Sequence, residues 1–299
     1  MKRNQKTSLE IAPNYIAATV LHHQSSRIKL LKAAYQERPQ PADRISAEEL
    51  KAFFSANQLR AKEVTVALDD PSLYIRQLTV PRNLLRESEQ NIKWYFEHFL
   101  PYSISKAALS HHICDVGWGS RALVIMATVF RETLDAILEE LENAGVRVKK
   151  IDIVPFALHR LFCANYELPK ERCAGIFDLG SGYGFGAILK GGNIVMARKF
   201  MIRQQQYQEN IIKAIDETLR YFEDQFARDV VESLYFTGRS GIDSDTKHRL
   251  EERLKIEVAA IEVDRKIETE DVDRKLLQKV EVALGTALDQ PHTNGAEQA

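Results

Sequence analysis

Cysteine is scarce in this chain: three residues among 299, at Cys114, Cys163 and Cys173. An odd number without metal-ligand spacing argues against a disulfide framework or a zinc module, and leaves buried or surface thiols in a reducing compartment as the expectation. Long apolar runs are missing as well. The longest, Ala122 to Phe130, reads as a buried strand, and it is far short of the roughly 20 residues that a membrane-spanning helix requires. Met1 to Lys6 is basic but leads straight into a β-like pattern, so no secretory signal is read there. Charge of one sign is not in excess: 41 Lys+Arg against 42 Asp+Glu leave a net charge of −1. Such a chain has no bulk field to hold nucleic acid or anionic lipid.

Familiar catalytic signatures are also absent. There is no G-x-S-x-G, no G-x-x-x-x-G-K-[ST] and no H-E-x-x-H. His22-His23 and His111-His112 are adjacent pairs. Neighbouring strand residues point to opposite faces, so neither pair is expected to share a metal.

The chain is otherwise 44% hydrophobic and 28% charged, enough apolar side chain for a packed core. Its length suits two domains or one two-lobed body. Thr7 to Leu21 reads as strand, turn and strand, broken at Pro13-Asn14, and Arg27 to Tyr35 as a third strand. Helices are expected over Ala47–Asn57, Leu85–Leu100, Glu132–Ala144, Phe156–Tyr166, Gln206–Ala227, Ser244–Lys255 and Arg274–Leu288, from apolar residues at three- and four-residue spacing. Strands are expected over Glu63–Leu68, Leu73–Val80, Ala108–Cys114, Arg121–Thr128, Val146–Val154, Ala174–Leu189 with its turn, Ile194–Phe200, Val230–Phe236 and Ile256–Val263. Alternating strands and helices make this an α/β chain. One internal echo stands out. Leu9-Glu10-Ile11-Ala12 and Phe177-Asp178-Leu179-Gly180 each put a carboxylate at a strand end before a tight turn, as two similar facing lobes would.

Asp178-Leu179-Gly180-Ser181-Gly182-Tyr183-Gly184 is the stretch richest in candidate chemistry. Its glycines permit close approach of backbone to a ligand, and successive N–H groups in such a turn can face phosphate oxygens. A plain hairpin needing positive φ is the alternative. Thr237-Gly238-Arg239-Ser240-Gly241, after a strand and before a helix, is a second candidate phosphate turn. Trp94-Tyr95-Phe96 reads as core, with an aromatic face for a partner peptide as the alternative.

Taken in order, these pieces resemble PilM, the actin-like protein of type IV pilus assembly, and its shorter MshI-like relatives. The resemblance rests on Ser8-Leu9-Glu10-Ile11, on Leu73–Pro81 followed by Arg86–Leu100 and Pro101-Tyr102-Ser103, and on Asp178-Leu179-Gly180. It continues through Glu217-Thr218-Leu219-Arg220-Tyr221-Phe222, Gly238-Arg239-Ser240-Gly241 and Ala283-Leu284-Gly285-Thr286-Ala287-Leu288. It implies an actin-like (ribonuclease H-like) two-lobed α/β fold with a small inserted α+β subdomain. Lobe one is expected over 1–172 with the insertion at about 78–145. Lobe two is expected over 173–290, without an upper subdomain and with the last helix packing back. Residues 291–299 are expected to form a disordered tail.

The resemblance implies a scaffold that takes the cytoplasmic tail of an inner-membrane PilN-like protein, in a groove beside the inserted subdomain and near Leu85–Leu100. Other platform proteins would be further partners. The expected location is the cytoplasm, peripheral to the inner membrane through that partner, with no direct membrane insertion and no nucleic acid. ATP would be held by Glu10, Asp178, Gly180, Ser181, Gly182, Gly238, Arg239 and Ser240, with Glu10 and Asp178 holding Mg through water. The sequence departs from the family pattern here. Ala12-Pro13-Asn14 replaces a turn with Gly and Ser or Thr, and Pro13 has no N–H to offer phosphate. Gly184 stands where a hydroxyl is usual. ATP and Mg binding is therefore expected to be weak or absent, and the chain to be a degenerate ATPase with no catalytic residues. An active actin-like ATPase and the cytoplasmic part of a GspL-like type II secretion protein are the alternatives.

Overall fold

Tight hairpins organise the start of the chain. β1 (Gln5–Ile11), β2 (Tyr15–Gln24) and β3 (Arg27–Glu37) form an antiparallel meander. The computed structural model describes residues 4–24, 27–38, 44–114, 116, 119–180, 182–203, 205–240, 242–269 and 272–289. Ser46 then caps α1 (Ala47–Ala56) by accepting the Glu49 N–H at 3.2 Å, and Leu50, Phe53 and Phe54 bury its inner face. β4 (Glu63–Leu68) returns parallel to β1.

The chain next builds a small separate layer from β5 (Tyr74–Pro81), a 3-10 turn at Arg82–Arg86, α2 (Glu89–Glu97), β6 (Ala107–Cys114) and β7 (Arg121–Phe130). α3 (Arg131–Asn143), β8 (Arg147–Ile153) and α4 (Val154–Asn165) lead back to the first sheet. The second half runs β9 (Cys173–Leu179), β10 (Tyr183–Lys190), β11 (Asn193–Met201), α5 (Tyr207–Gln225), β12 (Val231–Phe236), α6 (Ser244–Leu254), β13 (Glu257–Ala260), β14 (Ile267–Glu268), α7 (Arg274–Lys279) and α8 (Glu281–Ala287).

Two sheets share one plan. The orders β3-β2-β1-β4-β8 and β11-β10-β9-β12-β13 both begin with two antiparallel pairings and end with two parallel ones. β14 adds to the β3 edge of the first sheet. α4 touches strands of both sheets, and α8 packs on α4, β1, β2 and β4. Among the described residues, only short links join β11 to α5 and α5 to β12, with no further element between them.

The third sheet, β5-β7-β6, has its own core. Alternation along β7 explains why. Ala122, Val124 and Met126 face α2 with Leu78, Val80, Ile92 and Phe96, while Leu123, Ile125 and Val129 join the main core. α2 therefore covers the outer face of the small sheet, and Trp94 is 56% exposed there. This layer runs from Tyr74 to Phe130 and also packs on β11, and α3 packs on α1 of lobe one.

Three sequence expectations change. The helix read over Leu85–Leu100 begins at Glu89, because Ser88 Oγ accepts the Asn91 N–H at 3.3 Å and the preceding residues turn as a 3-10 segment. The helix read over Arg274–Leu288 breaks at Val280 (φ −113°, ψ 11°), and the break lays α8 onto lobe one with Val280 and Ala283 packed among Ala12, Tyr15 and Ala17. The strand read over Ile256–Val263 shortens to Glu257–Ala260, and β14 had no clear signal. No helix among the described residues is long and apolar enough to cross a membrane. Pro291–Ala299 lies outside the described residues.

Candidate functional site

Each lobe presents a hairpin with the same sequence logic. In lobe one the Ala12 N–H donates to the Tyr15 carbonyl at 3.1 Å, and in lobe two the Gly180 N–H donates to the Tyr183 carbonyl at 2.9 Å. A buried carboxylate precedes each turn, Glu10 and Asp178, and a tyrosine follows it, Tyr15 and Tyr183. The tyrosines converge on one residue: Tyr15 Oη donates to Asp69 Oδ2 at 3.0 Å and Tyr183 Oη to the Asp69 carbonyl at 3.3 Å.

Arg239 crosses between the lobes. Its Nη1 donates to Glu10 Oε1 at 2.5 Å, its Nε to Asp178 Oδ1 at 2.9 Å, and its Nη2 to Asp178 Oδ2. Nη2 also lies 3.6 Å from Asp69 Oδ2. The guanidinium sits 4.9 Å from the Tyr15 ring centre, Tyr15 stacks on Tyr35 at 5.3 Å, and Lys279 Nζ covers Tyr35 at 4.4 Å. Lobe two contributes a second tie: Lys199 lies over Tyr183 at 4.3 Å and donates to the Asp70 and Pro71 carbonyls of lobe one.

The expected site residues are placed as follows. Glu10, Asp178 and Arg239 meet directly. Ser240 Oγ accepts the Leu179 N–H at 2.9 Å and pairs with Thr237, whose hydroxyl donates to Asp178 Oδ1 at 2.6 Å. The Gly238 N–H donates to Glu281 Oε2 at 2.8 Å. The Gly182 carbonyl accepts the Ile202 N–H at 3.0 Å. Ser181 lies outside the described residues. Gly180 and Gly184 owe nothing to positive φ. A Cβ on Gly180 would stand 2.8 Å from the Tyr183 carbonyl oxygen, and one on Gly184 2.7 Å from the Phe200 ring. The ring over Gly184 leaves no room for a hydroxyl-bearing side chain there.

Acid outweighs base in this cluster. Burial pushes Glu10 up to about 7, although the Arg239 charge pulls it down. Burial, aided by the Glu10 charge, pushes Asp69 up to about 7. Burial lifts Asp178 well above the usual carboxylate range, with Asp69 and Glu10 adding repulsion. Burial takes Glu281 to about 8. Glu10 Oε2 and Asp69 Oδ1 are buried without a hydrogen-bond partner, which is costly for an ionised group.

These residues do not fit a magnesium nucleotide as they stand. A guanidinium fills the space between Glu10 and Asp178, and no group of three or more His, Cys, Asp or Glu among the described residues could hold a metal. The N–H groups of Leu179, Gly180 and Gly238 are already bonded within the protein. Asp69, Tyr15 and Glu281 escaped the sequence reading, and Tyr183 and Thr237 entered it only as members of the two glycine turns. Asp69 was within its reach, because it too is an acid directly after a buried strand.

A second concavity, about 300 Å3, lies between the small sheet and lobe one. β6 lines one side and β8 the other, with Leu134 and Phe156 from α3 and α4. Among the described residues β6 pairs only with β7, and β8 only with β4, so each offers a strand edge without a neighbour there. α2 lies on the opposite face of the small sheet from this concavity, because successive β7 residues face opposite ways.

A family model described as type IV pilus assembly protein PilM matches residues 28–214. Among solved structures, a PilM–PilN type IV pilus biogenesis complex superposes with a TM-score of 0.80 at 18% identity, covering 95% of this chain and 98% of the other. A Bacteroides thetaiotaomicron protein with an actin-like ATPase fold gives 0.56 at 14% identity, over 93% and 96%. The cytoplasmic domain of EpsL, an inner-membrane component of the Vibrio cholerae type II secretion system, gives 0.51 at 13%, over 93% and 94%. No curated protein matches. The fold is thus actin-like.

Proposed function

The chain belongs to the PilM family of type IV pilus assembly proteins, and from that footing we propose that it is a docking body whose groove between β6 and β8 receives the cytoplasmic tail of a PilN-like inner-membrane protein. It works in the cytoplasm, held at the inner membrane by that partner. The observation that carries this reading is the pair of free strand edges flanking one apolar groove. An extended peptide can add to either edge through main-chain hydrogen bonds, while alternate side chains enter the groove past His112, Ile151 and Phe156. The solved complex of the same fold bears the name of such a partner. The inter-lobe cleft is read as a nucleotide site that has lost its use. What supports this is Pro13 in the first turn, the Phe200 ring over Gly184, and backbone donors committed inside the protein.

The test is a fluorescence-anisotropy titration of a labelled PilN-like tail peptide. Ile151→Asp, partly buried in the groove wall, is expected to weaken binding at least about tenfold, whereas Trp94→Ser on the far side of the small sheet leaves it unchanged. An unaltered affinity in Ile151→Asp would place the tail elsewhere. Micromolar ATP binding with steady turnover would restore an active ATPase. An MSHA-type pilus, the system of the MshI-like relatives, is the assembly proposed; the test is the gene neighbourhood, where a PilN-like reading frame beside a gene for the MSHA pilin is expected and a different pilin gene would overturn the choice.

A further inference from the structure

We infer that Arg239 is a resident cation that takes the place of a metal between Glu10 and Asp178 and fastens the two lobes together without any ligand.

The geometry carries this in three steps. First, the guanidinium engages both lobes through hydrogen bonds to carboxylates. It reaches Glu10 of lobe one through Nη1 and forks onto both oxygens of Asp178 through Nε and Nη2. A planar guanidinium gripping a carboxylate with two parallel N–H groups is a directional, strong contact, and a lysine could not reproduce it. Second, the Arg239 side chain is only 12% exposed, against 0% for Glu10 and 2% for Asp178. Carboxylates this deep require a cation or a proton, since an isolated buried charge is strongly disfavoured. Third, the surroundings hold the guanidinium in place. Tyr15 lies against it as one ring of a Tyr15–Tyr35 stack, and Tyr15 Oη ties Glu10 to Asp69. Cation, ring and acids form one connected unit. A bound metal would have to expel Arg239 from the Asp178 fork.

In a nucleotide-dependent member of such a fold, ligand in the cleft would set how the lobes meet. Here the protein supplies that bridge from its own chain, and Lys199 supplies a second tie to the Asp70 and Pro71 carbonyls. The relative placement of the lobes is therefore fixed at all times. The groove between β6 and β8 is a separate feature, so this inference stands or falls independently of partner binding.

The experiment compares the full chain with Arg239→Ala and Arg239→Lys by thermal unfolding, with and without millimolar MgCl2, and by Mn-binding electron paramagnetic resonance. The wild type is expected to show no Mg-dependent shift in Tm and no bound Mn. Arg239→Ala should lose about 5 to 10 °C in Tm, as expected for removing one partner of a buried ion pair in a protein of this size. It should regain part of that loss with Mg and bind Mn. Arg239→Lys should fall between the two. Sub-millimolar Mn binding by the wild type would overturn the inference, as would an unchanged Tm in Arg239→Ala. Should Arg239→Ala not fold, hydrogen exchange of the wild type decides. Amides of β1 and of the Gly238–Ser240 turn that exchange at the same rate with and without Mg-ATP support a resident bridge, and slowing of both segments refutes it.

Discussion

At the residue scale, the cleft is governed by an imbalance of charge in a dry place. Glu10, Asp69, Asp178 and Glu281 crowd one guanidinium, and burial raises all four carboxyls above their ordinary values. The sign of the stability effect follows directly. A carboxyl whose folded value is raised binds more protons in the native state than unfolded, so it stabilises the fold at low pH and loses that contribution as pH rises through the folded value. Glu10 and Asp69 act between the ordinary carboxylate range and about 7, and Glu281 up to about 8. Denaturant unfolding should therefore show stability falling by a few kcal/mol, on the order of 1 to 3, from pH 5 to pH 8.5. Glu281→Gln, which keeps an acceptor for the Gly238 N–H, should flatten the upper part of that fall. A stability that rises over the same range would show these groups to be ionised and paired throughout.

At the scale of elements, α8 shows how much a short helix can carry. Ser8 Oγ donates to the Ala283 carbonyl and Arg160 Nε to the Gly285 carbonyl, while Arg160 also pairs with Asp152 in the interior. Gly285 lets α8 lie on α4 almost backbone to backbone, since a Cβ there would stand 2.1 Å from the Ala157 carbonyl oxygen. Gly285→Ala should cost at least about 2 to 3 kcal/mol in denaturant unfolding, because neither backbone can yield locally. An effect below about 0.5 kcal/mol, the range of an ordinary surface change, would mean the helices separate freely.

Much at this scale was legible in sequence. Period-two and period-3.6 patterns located nearly every strand and helix, and the echo between Glu10 and Asp178 marked the two hairpins. What the pattern could not give was direction in space. Arg239 lies 229 residues from Glu10, and only the packed lobes show that it points at Glu10 rather than at solvent or phosphate. The break at Val280 was equally hidden, because helical spacing of apolar residues continues across it and only the fit of α8 onto lobe one demands the turn. The place of α2 depended on which face of β7 it covers, and a strand apolar on both faces does not reveal that.

At the scale of the whole molecule, the small sheet adds a cluster of its own to the main core, and it packs on β11 of lobe two as well as facing lobe one across the groove. One face of it packs this small cluster, Leu78, Val80, Leu84, Ile92, Phe96, Ala122, Val124 and Met126, while Ile75, Leu123, Ile125 and Val129 join the main core. Regions with fewer buried contacts open at lower free energy than the globule as a whole. Hydrogen exchange should accordingly find β5–β7 opening before β1 and β9. Phe96→Ala, which removes a fully buried ring at a cost of about 3 to 5 kcal/mol, should speed exchange in β5–β7 while leaving β9 protected. The proposed tail, seated between β6 and β8, would touch this body and lobe one together. A ligand that binds only the joined form stabilises it by RT ln(1 + [L]/Kd), about 2.7 kcal/mol at a hundredfold excess over Kd. Saturating peptide should then slow exchange in β6 and β8 alike and restore protection to the Phe96→Ala variant. Protection confined to β6 would mean that the tail adds to the small sheet alone and that β8 takes no part in holding it.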